Sequence, residues 1–526
     1  MRAILLGAAA AIALTALDAE AGTLRWARTG EALTLDPHSQ NEGPTTTFLH
    51  QIYETLILAD MTGAFVEGLA VNWGPLEEDP NVWRFDLRQG VAFHDGTPFT
   101  AADAAFSIMR AKSEASNFRE LLGSVVEARV VDDHTLDLVT DGPNPILPAN
   151  LTNIFMVSEA WARANDVVDV HNFAAGEDSF AARNVNGTGP YVLVSRDPDS
   201  RSVLRLNEDY WGIGEFPLDV TEIIFTPIQN PATRVAALLS GEVDFIQDVP
   251  VQDLDRIANT DGLVLGTTAQ NRTIFFGLNV ADEDLASDNV EGRNPFADRR
   301  VREAMNIAIN REAIRQVVMR GQSQPTGVIM PPFVNGWTEE LDAFPPVDLD
   351  RARALMAEAG FADGFSTRLD CPNDRYINDE AICQAVVGMF GQIGINVTLD
   401  ARPRAQHFPL LANLETDFYM LGWGVPTYDS EYIFNFLVHT RDDGFGSWNA
   451  TRYSNPELDA KIRSLSSNID LEARDADIAA IWEVVQAETI YLPVHHQVLN
   501  WAFSDRIDTI VDPEDQVLFK YFVMAD

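Results

Sequence analysis

Trp83-Arg84-Phe85-Asp86-Leu87-Arg88-Gln89-Gly90-Val91-Ala92-Phe93-His94-Asp95-Gly96-Thr97-Pro98-Phe99-Thr100-Ala101-Ala102-Asp103-Ala104-Ala105-Phe106-Ser107 is the most legible stretch of the chain. Apolar residues alternate from Trp83 to Leu87, the period of a half-buried strand. Gly90 breaks the run, Val91-Ala92-Phe93 resumes it, and His94-Asp95-Gly96 reads as a tight turn. Thr100 and Asp103 stand three apart, the spacing at which a hydroxyl and a carboxylate each satisfy an orphan amide at a helix start. The helix they open is expected to run to about Lys112. Strand, turn and capped helix in immediate succession mark an α/β chain.

The same logic extends outward. Leu24-Arg25-Trp26-Ala27 reads as a strand, a turn-rich stretch from Asp36 to Pro44 follows it, and an amphipathic helix is expected over Thr46 to Leu58. Polar loops after strands are where α/β proteins place ligand contacts, which makes Asn41 a candidate. Gly187-Thr188-Gly189-Pro190-Tyr191 has no lysine after it and opens no helix, so it reads as a strand-entry turn and not a phosphate cradle. A helix over Ala232 to Leu239 leads to the strand Val243 to Ile246. A helical hairpin spans about Asp298 to Arg320, and a helix over Ala381 to Ile393 feeds the strand Asn396 to Leu399. Asn455 to Ser464 and Arg474 to Glu488 read as further helices.

Residues 1–21 read as a cleavable signal peptide: Arg2 is the basic start, Ile4 to Leu17 the apolar segment, and Ala19-Glu20-Ala21 the small-x-small site. A transmembrane helix needs roughly 20 apolar residues, and Asp18 closes this one early. No cysteine sits at the cleavage site to take a lipid, so the mature chain is expected to be free in the periplasm. Its 79 acidic residues against 37 Lys and Arg give a formal charge of −42. Such a surface repels nucleic acid and anionic membrane, because phosphate contact needs clustered cations. The chain has two cysteines, Cys371 and Cys383. In an oxidising compartment a pair reads as a disulfide; a zinc site is the alternative, but no histidine lies near either in sequence.

A secreted hydrolase is the rival class. The sequence has no G-x-S-x-G elbow, no H-E-x-x-H and no Walker motif, and no catalytic residue is assigned. So many acids make any one carboxylate pair uninformative. His495-His496 is the only histidine doublet. Neighbours on a strand point to opposite faces, so one is expected in the core and the other toward a cleft or solvent. No metal ligand and no cofactor is assigned.

Tyr53-Glu54-Thr55-Leu56, Gly68-Leu69-Ala70 with Trp73, the 83–107 stretch, Gly187 to Tyr191, Asp209-Tyr210-Trp211, Pro295 to Asp298 and its hairpin, Gly422-Trp423, and Leu492 to Gln497 occur in one order along the chain. Together they resemble the extracellular solute-binding proteins of bacterial ABC importers, the oligopeptide/dipeptide/nickel family (family 5). The resemblance implies a two-lobed periplasmic binding protein fold with an extra domain and a ligand cleft between hinged lobes. Lobe I would comprise 22–55, 190–275 and 495–526, the extra domain 56–189, and lobe II 276–494. It also implies delivery of a solute to an ABC permease and its ATPase subunits, by a protein expected to be a monomer and not an enzyme.

Family members that take peptides usually carry an aspartate shortly after the Gly-Trp motif, holding the peptide ammonium. Here Pro426 falls at that place, and Asp429 is the candidate substitute. Arg375 lies near the family's carboxylate-binding arginine; Trp423 and Tyr428 are candidate stacking residues. Arg402 and Arg404 follow a strand end that faces either the cleft or solvent. The expected cargo is a small organic solute bearing a carboxylate, peptide or peptide-like, with a sugar, an opine-like compound or a metal chelate as alternatives.

Overall fold

A computed structural model describes residues 22–60, 64–442 and 444–525; the signal-peptide reading lies outside them. The expected strand and helix around the opening stretch are present as Asp79–Leu87 and Ala101–Ala111. Val82, Trp83, Phe85 and Leu87 are buried, with Arg84 and Asp86 between them half-exposed. Thr100 and Asp103 form the capping box, the Thr100 amide donating to Asp103 Oδ2 at 3.0 Å. This strand is interior to a four-stranded antiparallel sheet built from Ala70–Leu76, Asp79–Leu87, Thr135–Thr140 and Val125–Asp132.

The other large sheet has eleven strands. One part is the parallel set in which Thr23–Arg28 lies between Glu222–Pro227 and Phe245–Ile246, extended by Arg201–Leu206 and Tyr191–Asp197. The other is the parallel set of Phe365–Pro372 with Ile395–Arg402 and Phe418–Gly424. Two long antiparallel strands, Leu263–Leu278 and Tyr491–Ser504, pass from one set to the other. Their pairing lapses between Ala269 and Thr273, so Gln270, Asn271 and Arg272 leave the ladder there. Such bulges re-aim side chains, and this one sits where the chain crosses between the two sets.

Two expectations change. The helix expected over Thr46 to Leu58 is only Gly43–Leu49, capped by Glu42, whose carboxylate accepts the Thr45 amide at 3.1 Å. Ile57–Ala59 is a strand paired with Phe65–Glu67; residues buried on every side carry no period that separates helix from strand. The Gly187-Thr188-Gly189 turn rests on the backbone of Ile52, where a Cβ at Gly187 would stand 2.0 Å from the Ile52 carbonyl oxygen. Only glycine allows that approach. Finally, His495 and His496 are both buried, because the strand carrying them is central and covered on both faces. His496 Nδ1 meets Thr273 Oγ1 at 2.9 Å, and no cluster of metal-ligating side chains occurs among the described residues.

The apolar core is shared across these parts. Phe85, Leu87 and Leu136 of the four-stranded sheet belong to one continuous cluster with Trp423, Tyr432 and Phe436.

Candidate ligand cavity

Where the two strand sets meet, a cavity is lined by the loop and helix start Asn41–Gly43, by Arg272, by Arg375 and Tyr376, by Leu421–Gly424 with Pro426, and by Glu514. It measures about 70 Å³, room for about five waters.

Two arginines, Arg272 and Arg375, line it. The loop 373–378 carries Arg375 and is fixed at both sides. Asp379 at the following helix start accepts the Arg375 and Tyr376 amides at 2.9 and 3.0 Å. Cys371 and Cys383 are joined by a disulfide between the preceding strand and that helix. Arg375 is buried, its Nε 2.8 Å from Glu42 Oε1, and its guanidinium lies 4.9 Å from the Tyr376 ring centroid. Burial works against the Arg375 charge, but Glu42, Tyr376, Asp248 and Asp515 together hold its pKa above the ordinary value. Glu42 in turn accepts Arg404 Nη1 at 2.7 Å. Burial alone would raise Glu42; Arg404 and Arg375 hold it below the usual carboxylate range.

The lining also holds an acid. Glu514 lines the cavity beside Pro426 and accepts hydrogen bonds from Asn271 Nδ2 and the Tyr428 hydroxyl. Burial pushes its carboxyl up to about 7. Aromatic side chains complete the lining. Trp423 packs on Tyr432, Phe436 and Trp448 with centroids 5.8, 5.5 and 5.5 Å apart. Asn41 Nδ2 closes the far side by donating to the Tyr432 hydroxyl at 2.6 Å.

Of the residues singled out from sequence, Asn41, Arg375 and Trp423 line this cavity. Arg404 does not; it is buried behind Glu42, donates to the Glu31 carbonyl and borders an outer groove instead. Arg402 is bound to Asp370 and Asp400. Tyr428 stands in the left-handed region at φ 54° and faces an adjoining space with Asp512. Asp429 turns away altogether. It takes Arg474 in a two-pronged pair at 2.7 and 2.7 Å and caps the helix Ser430–Ile433. Its charge is already used, so it is no substitute for an aspartate at 426. Arg272, Glu514, Glu42 and Tyr432 escaped the sequence reading. One signal was available: Gln270-Asn271-Arg272-Thr273 is a polar run inside an otherwise apolar strand.

The family model for bacterial extracellular solute-binding proteins, family 5 (middle), matches residues 64–445. The chain belongs to this family. Among curated relatives of this solute-binding protein, glutathione-binding protein GsiB of Salmonella paratyphi A is 24% identical over 488 residues, 90% of this chain and 89% of that one. Among solved structures, AgaA of A. tumefaciens R10, in complex with agropinic acid, matches with a TM-score of 0.84 at 23% identity, covering 96% and 99% of the two chains. The dipeptide binding protein of Pseudoalteromonas sp. SM9913, in complex with Met-Leu, matches with a TM-score of 0.83 at 21% identity over 95% and 100%. These likenesses fix the fold as that of the two-lobed periplasmic binding proteins.

Proposed function

We propose that this family 5 protein is the periplasmic receptor of an ABC importer, released from its signal peptide at residue 21 and acting as a monomer. It captures a small zwitterionic, peptide-like solute and hands it unchanged to the membrane permease and its ATPase subunits. The observation carrying this reading is one cavity lined by both the Arg375 guanidinium and the Glu514 carboxylate. Guanidinium suits a carboxylate through paired N–H donors, and a buried carboxylate suits an ammonium whose burial would otherwise be costly. Glutathione, murein peptides and Met-Leu, named with the relatives and neighbouring structures, share the class.

The lobes part to admit the solute and close around it. We assign the moving bodies as lobe I (22–55, 190–275 and 495–526), the extra domain (56–189) and lobe II (276–494). Strands 263–278 and 491–504 serve as the hinge. Thermal-shift screening of refolded, ligand-free protein against dipeptides, tripeptides, their amides, sugars and metal chelates tests the reading. A ligand at about a hundred times its dissociation constant adds roughly 2.7 kcal/mol, a clear rise in Tm. The expected rise is confined to free-acid peptides recovered intact. Equal shifts with the amides, a response to sugars or chelates alone, or turnover of the bound solute contradicts it.

A further inference from the structure

Arg272 is the odd member of the cavity. It leaves the ladder at the bulge in the crossing strand, opposite Gly424, and is 9% exposed. Its Nη1 donates to the Gly422 carbonyl at 3.2 Å, and its buried Nε has no hydrogen-bond partner. Among the described residues it forms no ion pair, whereas Arg375 beside it has Glu42. A buried guanidinium with no acid in direct contact carries a desolvation cost; burial, with Arg375 adding repulsion, lowers Arg272 to about 10 against the weaker pull of Tyr376, Asp515 and Glu514.

The two guanidiniums converge. A Cβ on Gly43 would stand 3.2 Å from Arg375 Nη2 and 3.5 Å from Arg272 Nη2, and both cations face the Tyr376 ring, at 4.9 and 5.9 Å. Glycine at 43 leaves the space they share. Glu42 is shared between Arg375 and Arg404. Arg375 and Arg272 both line the cavity, and a guanidinium edge matches one carboxylate.

We infer that Arg272 is a second anion anchor and that the preferred solute is a zwitterion with two carboxylates at its acid end, such as a peptide ending in an acidic residue. The inference rests on the reading of the cavity as a receptor for carboxylate-bearing solutes, and it adds a specificity that Arg375 alone does not supply. A single carboxylate pairs one cation and leaves the other buried beside it; a second carboxylate removes that penalty. Arg272 is then both the source of selectivity and a liability in the empty protein.

Matched dipeptides separate the possibilities. Ala-Glu and Ala-Gln differ by one charge at nearly constant shape, as do Ala-Asp and Ala-Asn. Calorimetric titration of the wild type is expected to favour the acidic member of at least one pair by about tenfold or more, the scale of one charge-assisted contact. Arg272→Gln is expected to collapse that ratio toward one while raising the Tm of the empty protein, because it removes a buried charge with no acid in direct contact. A merely structural arginine would lower the Tm and leave the ratio unchanged. Should Arg272→Gln fail to fold, Arg272→Lys is read for the ratio, which falls as the planar fork is lost. Equal affinities within both pairs overturn this inference and leave the receptor reading standing. Failure of all four dipeptides to bind overturns both.

Discussion

Glu42, buried, and Glu514, half-buried, line one cavity, yet they stand in opposite states. Burial would raise both, but Arg404 and Arg375 hold Glu42 low, while Glu514, served by Asn271 and Tyr428, remains pushed up to about 7. The arginines differ in the same way: Arg375 has Glu42 as a direct ion-pair partner, whereas Arg272 forms no such pair among the described residues and is met by Asp515 and Glu514 only at longer range. Glu42 reaches across from the N-terminal strand set to arginines on the other set, so the satisfied charges bind the protein to itself. The unsatisfied ones, Arg272 and Glu514, are the groups left for a solute. A binding protein needs both kinds: complete pairs that define the closed shape, and incomplete ones whose stress the ligand relieves.

The largest expected effect comes from breaking a complete pair. Glu42→Gln strands two buried arginines and is expected to cost about 3–5 kcal/mol in urea unfolding; a loss below about 1 kcal/mol would contradict the role given to Glu42. Asp429→Asn sharpens the contrast from outside the cavity. It uncouples the buried Arg474 pair, so stability drops by a similar order while the dissociation constant of the folded protein stays unchanged. A large affinity loss there would return Asp429 to the binding site.

The incomplete groups behave the other way. Glu514→Gln is expected to leave the empty protein as stable as before, or more so, and to weaken an ammonium-bearing solute by about tenfold. Its deamino analogue should lose nothing. Titration calorimetry of the two ligands on both proteins reads this directly, and equal losses for both ligands break the comparison.

The smallest effect is a pH slope. Burial raises Asp379, Glu431 and Glu514 to about 7 and Asp512 to about 8, against unfolded carboxylates near about 4. In that window the folded state holds protons the unfolded chain has lost, so stability falls as pH rises through it. Burial lowers His38 and His407 to about 4, and His50 and His495 to about 3. These oppose the trend only below the unfolded histidine value of about 6.5. The Tm of the empty protein is therefore expected to decline between about pH 6.5 and 8, and affinity for an ammonium-bearing solute to rise over the same range. A flat or rising Tm contradicts the assignment.

Much of the architecture was legible because local signals agreed: the alternation from Trp83 to Leu87, the Thr100–Asp103 box, and the glycines that lie against Ile52. The helix read over Thr46 to Leu58 failed where burial on all sides erased the period. In the cavity, Arg375 and Trp423 could be placed because motifs surround them. Glu514 could not, since one acid among 79 carries no mark until the fold brings it beside Pro426. Asp429 misled for the complementary reason: its partner Arg474 lies far along the chain, and pairing is invisible in sequence.

A crystal structure of the protein with a dipeptide bound tests the central claim most directly. The account predicts the carboxylate end about 2.9 Å from the guanidiniums of Arg375 and Arg272, the ammonium on Glu514, and Asp429 still paired with Arg474. A peptide bound in the reverse sense, or lying in the outer groove lined by Thr29, Asp374 and Arg404, would contradict it.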